Sequence, residues 1–152
     1  MGGAVSEQAA TADTATATAA AAFKALGDER RLRVLQLLLH APDTLCGCEL
    51  SDVLGLPDYQ VSRALSTLRA AGLVTDHGRT GTWVHYAPAR GESDLVDAVL
   101  TMVASLPVDP SDAARLTLRH QLRDEMGCVV GAQHPRVEQA FAAAGVPSPT
   151  QE

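Results

Sequence analysis

The stretch from Cys48 to Tyr86 changes its hydrophobic period midway, and that change leaves few folds open. Leu50, Val53 and Leu54 recur at helical spacing, with Glu49 and Asp52 near the start, where carboxylates suit the positive end of a helix dipole. Gly55-Leu56-Pro57-Asp58 breaks this short helix, and Asp58 is placed to cap a second one, Tyr59 to Ala71. Val61, Leu65 and Leu68 form a single apolar stripe on the second helix, which Gly72 can end by taking a left-handed backbone. Two β-rich runs follow, Leu73–His77 and Thr82–Tyr86, joined as a hairpin by Gly78-Arg79-Thr80-Gly81.

Helix, short turn, helix and hairpin in this order make a winged helix-turn-helix, whose second helix enters a DNA major groove. The flanking sequence is helical. Phe23, Leu26, Leu32, Leu35, Leu38 and Leu39 predict one core helix that stops near Ala41-Pro42. Ser93 can cap a helix with Leu95, Val96, Val99, Leu100, Val103 and Leu106 on a broad apolar face, and Ser111 can start another, from Asp112 to about Met126. Aromatic content of 3% within 46% hydrophobic residues requires a core of Leu, Val and Ala. The predicted fold is mainly α with a small β-hairpin. The predicted organisation is an Ala/Thr-rich N-terminal arm over 1–22, partly disordered or helical, and a DNA-binding and dimerisation domain over 23–106. A C-terminal helical extension over 107–144 and a flexible tail over 145–152 complete it.

With Val61, Leu65 and Leu68 turned inward, Gln60, Ser62, Arg63, Ser66 and Thr67 occupy the other faces of the second helix. Gln suits adenine, Arg suits guanine, and Ser or Thr suits phosphate. The formal net charge is −6, yet between Tyr59 and Arg90 the charged residues are Arg63, Arg69, Arg79 and Arg90 against Asp76 alone. That local excess is a footprint for double-stranded DNA, with Arg69 and Arg79 among the expected contacts. A single reading helix covers too little DNA, so a homodimer is expected, sealed by Leu95, Val99, Val103, Leu106 and part of the arm. The absence of an 18-residue apolar run and of Lys or Arg in the first 22 residues predicts a cytoplasmic protein without a membrane span.

Phe23-Lys24-Ala25-Leu26-Gly27-Asp28, Arg31-Leu32-Arg33-Val34-Leu35, the run from Val61 to Val74 and the run from Gly78 to Tyr86 closely resemble the ArsR/SmtB family of metal-responsive repressors. The resemblance covers roughly residues 20–105. It implies a homodimer that blocks transcription until an inducer releases it from its operator. The sequence departs at Ala64, where the family more often has histidine.

Leu45-Cys46-Gly47-Cys48-Glu49-Leu50-Ser51-Asp52 is similar to the Cys-x-Cys thiolate motif of some arsenic, antimony, lead and cadmium sensors, which implies that Cys46 and Cys48 are ligands. Thiols at a helix start also feel the positive end of the dipole, which favours the thiolate. With Cys128 they make three sulfurs, the donor set of As(III) or Sb(III), and other soft ions remain open. Zinc would ask for four ligands, which the pairs His120/Asp124 and Cys128/His134 could help supply. The family's other site needs histidine on the helix after the wing, and Leu95 to Leu106 holds Asp97 but no histidine. Alternatives are a redox-responsive or Cd/Pb/Zn-responsive repressor of the same fold and, from another class, a thiol enzyme. No Cys-x-x-Cys, nucleotide loop or base–nucleophile pair supports the enzyme.

Overall fold

The computed structural model describes residues 3–123 and 130–150. Its elements run α1 (Gly3–Leu26), α2 (Glu29–His40), β1 (Leu45–Cys46), α3 (Gly47–Leu54), α4 (Asp58–Ala70), β2 (Val74–Thr80), β3 (Trp83–Pro88), α5 (Asp94–Ala104), α6 (Pro110–His120) and α7 (Pro135–Ala143). The single helix expected from Phe23 to Ala41 is two. α1 ends before Gly27, and the Asp28 side chain accepts the N–H of Arg31 at 3.1 Å to begin α2. Arg31 Nε then donates to Ala25 O at 2.6 Å and fixes the corner.

α3, the Gly55–Pro57 turn and α4 form the helix-turn-helix, and β2 and β3 form the wing. Asp58 is the first residue of α4, with Pro57 at the cap position, so the expected aspartate cap is not made. The wing turns at Gly81 rather than across 78–81, because β2 continues to Thr80 through a bulge between Asp76 and Arg79. β1 was not foreseen: two residues carry no periodicity, yet they pair antiparallel with β3, Leu45 opposite Tyr86 and Cys46 opposite His85, giving the order β1-β3-β2. The sheet therefore reaches the start of α3.

Val34, Leu35, Leu38, Leu50, Val53, Leu65 and Leu68 form the centre of one core to which every helix of the winged unit contributes. Ser93 caps α5 through the N–H of Val96, as expected. Val99 and Val103, assigned to a dimer surface, are 4% and 2% exposed and lie in this core, so they are not available to a partner. Met102 and Leu106 remain outward on that segment, as does Phe23 on α1.

α6 begins at Pro110 under an Asp109 cap rather than at Ser111, and it ends at His120. The helix expected as far as Met126 thus stops earlier; residues 124–129 lie outside the described part. The segment Pro147–Thr150 lies across the helix-turn-helix. A Cβ at Gly55, whose φ is +69°, would stand 2.9 Å from both Pro149 Cβ and Thr150 O. Gly55→Ala should therefore cost about 1–3 kcal/mol through backbone strain and displacement of this segment. Urea denaturation checks it, and an unchanged midpoint would contradict the packing.

Candidate nucleic-acid interface and thiol site

α4 presents two chemically distinct faces. Val61, Ala64, Leu65 and Leu68 are buried, which leaves Ser62, Arg63, Ser66, Thr67 and Arg69 exposed and Gln60 half-buried. Ala64 faces the core, so it makes no outward contact of its own. The Arg63 guanidinium lies 5.6 Å from the ring centre of the exposed Tyr59, whose hydroxyl accepts from Gln60 Nε2 at 3.2 Å. Arg79 is exposed on β2 near the wing tip. Arg30, which the sequence did not single out, joins Arg63 and Thr67 around a cleft of about 260 Å³ between the start of α2 and α4. Its only sequence signal was its place in the Arg30-Arg31-x-Arg33 cluster.

Cys46 is at once the last residue of β1 and the cap residue of α3, with extended backbone, while Cys48 stands in the first helical turn. Both carry thiols; Cys46 is buried and Cys48 partly exposed. Helix α3 begins one residue earlier than expected because Glu49 Oε1 accepts the N–H of Cys46 at 2.9 Å. Opposite residues of an antiparallel pair share a sheet face, so Cys46 and His85 lie on the same side. His85 Nδ1 is 3.3 Å from Thr44 Oγ1 on that side.

Facing α3 stand three arginines spaced by four, Arg115 and Arg119 on α6 and Arg123 just beyond it. Arg115 Nε donates to Val53 O at 2.9 Å, satisfying a carbonyl in the last turn of α3. Arg119, 0% exposed, donates to Asp52 Oδ2 at 2.8 Å, to Val130 O at 2.6 Å and to Cys48 Sγ at 3.7 Å. Burial pushes the Asp52 carboxyl up, against the opposing pull of the Gln133 N–H and Arg119. Arg123 Nε donates to Glu49 Oε2 at 2.6 Å, its Nη2 bonds Glu49 Oε1, and the same Nη2 donates to Thr44 O at 2.5 Å. Burial works against the Arg123 charge, but Glu49 outweighs it, with lesser help from Cys46 and Asp43, and the guanidinium is held above its ordinary value. These arginines were not anticipated, although four-residue spacing opposite Glu49 and Asp52 was a signal in the sequence.

Cys46 and Cys48 thus stand beside successive arginines, Cys46 within the electrostatic reach of Arg123 and Cys48 Sγ accepting from Arg119. Cys128 and Asp124, assigned as ligands or possible ligands, lie outside the described residues. His134 Nδ1 accepts the N–H of Arg136 and caps α7, and His120 ends α6. Among the described residues no three His, Cys, Asp or Glu side chains already converge as a metal site.

A reading helix with a polar outer face, packed behind a buried first helix and flanked by a β-wing, defines a winged helix-turn-helix transcriptional regulator. Residues 28–76 match the family model described as bacterial regulatory protein, arsR family. The chain is 34% identical over 85 residues to a Halobacterium salinarum protein whose name, ArsR2, assigns it to an arsenical resistance operon, covering 56% of this chain and 71% of that one. It is 41% identical to the arsenic resistance transcriptional regulator ArsR1 of Pseudomonas putida, over 51% of this chain and 59% of that one. Its fold aligns with reduced HlyU from Vibrio cholerae at a TM-score of 0.51 and 31% identity, covering 61% of this chain and 92% of HlyU. The protein belongs to the ArsR family. Its kind are transcriptional regulators, not enzymes. No described helix is long and apolar enough to cross a membrane.

Removing one partner of the buried Arg119–Asp52 pair should be costly. Arg119→Met is expected to destabilise by about 3–5 kcal/mol, whereas Arg119→Met with Asp52→Asn should recover much of that loss, because no buried charge is left alone. Denaturant titration compares them, and equal losses in the single and double variants would contradict the pairing.

Proposed function

We propose that this protein is a homodimeric, cytoplasmic repressor that holds operator DNA with Gln60, Ser62, Arg63, Ser66, Thr67, Arg69 and Arg79 and lets go when As(III) or Sb(III) binds Cys46, Cys48 and Cys128. The observation that carries the reading is the position of the thiol pair. Cys46 caps α3, the helix that supports α4, Cys48 stands in its first turn, and β1 ties Cys46 to the wing strand β3. A ligand on these sulfurs therefore acts on both DNA-facing elements. Soft thiolates select soft ions, and three of them match a pyramidal trivalent metalloid. The donor chemistry of the described pair fits such an ion, with Cys128 supplying the third sulfur. The outward Met102, Leu106 and Phe23 are the apolar groups proposed to meet the second subunit.

Arg63→Ala or Gln60→Ala should weaken specific operator binding by about 1–3 kcal/mol and leave the fold intact. Arg79→Ala should instead weaken binding to every sequence and lower its salt dependence. Fluorescence anisotropy with specific and scrambled duplexes checks both, and full operator affinity in the two reading-helix variants would sink the assignment. Cys46→Ser and Cys48→Ser should repress but ignore As(III). Cys128→Ser decides the third ligand: loss of response supports the trithiolate, and a full response with unaltered stoichiometry removes it.

A further inference from the structure

Arg123 spans the thiol segment. Its guanidinium bonds the carbonyl of Thr44, two residues before Cys46, and both carboxylate oxygens of Glu49, one residue after Cys48. Glu49, 0% exposed, in turn accepts the Cys46 N–H. The two cysteines are thus enclosed by a closed loop of hydrogen bonds: Thr44 to Arg123, Arg123 to Glu49, Glu49 back to Cys46. Arg123 is 8% exposed at its side chain, so these charge-assisted bonds are sheltered from competing water.

The loop fixes a geometry that a bridging ligand disturbs. Cys46 is extended and lies on the sheet face shared with His85, whereas Cys48 is helical and its sulfur is the acceptor of Arg119. An ion bonded to both sulfurs at about 2.3 Å confines them within about 4.6 Å of each other. Drawing an extended and a helical residue onto one centre rotates the backbone between them. That rotation pivots on Cys46, whose own N–H, in the peptide unit just before it, is held by Glu49 and through Glu49 by Arg123.

We infer that Glu49 and Arg123 are positioning residues that keep the Cys46–Cys48 turn in its DNA-holding form, so that their pairing sets how much inducer is needed to open it. The inference rests on the repressor reading above and adds the element that sets its threshold. Weakening the pair should tighten the binding of a dithiol-bridging ligand and, by linkage, weaken the grip on DNA.

Phenylarsine oxide is the probe, because it bridges two thiols whatever the natural inducer is. The background is the full chain carrying Cys128→Ser, which leaves only Cys46 and Cys48. Glu49→Gln keeps an oxygen for the Cys46 N–H but removes the charge, and Glu49→Gln with Arg123→Met avoids a lone buried cation. Both should bind the arsenical about tenfold more tightly than the background. Arg123→Lys, which keeps the charge but loses the fork, should fall between. Leu116→Ala, a core change on α6, controls for general loosening and should destabilise without changing arsenical affinity. Circular dichroism restricts the comparison to folded variants, and amide exchange at Cys46 gives a second readout that should quicken in Glu49→Gln but not in Leu116→Ala. Unchanged or weaker arsenical binding in the folded Glu49→Gln protein overturns the inference, as does an equal gain in Leu116→Ala. Tighter arsenical binding that leaves operator affinity untouched would uphold the positioning role and count against the repressor reading.

Discussion

The ion pair between Arg119 and Asp52 is the contact on which the rest of the architecture depends. A guanidinium with no exposure to water needs acceptors inside the protein, and here Asp52 takes a bond from Nε while Val130 O and Cys48 Sγ take bonds from Nη2. Both carboxylates of α3, Glu49 and Asp52, are buried and both are answered from outside the winged unit. The first helix of the DNA-binding motif is therefore incomplete without α6. Burying such pairs rarely adds stability over apolar packing; what they do here is tie α3 to the C-terminal extension, Arg123 at Glu49, Arg119 at Cys48 and Asp52, and Arg115 at Val53.

This arrangement places the thiol pair at a junction. Cys46 belongs to β1, hence to the sheet of the wing, and also caps α3, hence belongs to the helix-turn-helix. The Gly55 turn is in addition covered by the Pro147–Thr150 segment, whose Pro147 carbonyl accepts from Arg115. The residues after the wing thus hold α3 at its start, along its length and at its end. On the proposed reading, the extension sets the energy that an inducer must overcome.

Much of this was legible in the sequence, for identifiable reasons. α4 and the wing were readable because each buries one face, and a one-sided apolar pattern has a definite period. The outer face of α4 followed from the same stripe by geometry alone. The break at Gly27 was hidden because the apolar spacing runs on across it, although the Asp28 cap that makes the break was present in the residues. β1 is too short to carry any period. On α5 the apolar face is broad enough to serve core and surface together, so its period alone does not separate Val99 and Val103, which pack into the core, from an outward Leu106. The arginine row was visible as spacing, but its partners lie more than sixty residues away, and no local rule pairs them.

The central claim is that occupation of the thiols and occupation of the operator oppose one another through α3. The direct test is the As(III) affinity of the same protein, followed by thiolate absorbance, with and without saturating operator duplex. Linkage predicts that the duplex weakens As(III) binding by the same factor by which As(III) weakens DNA binding. Equal As(III) affinity in the two conditions would contradict the account.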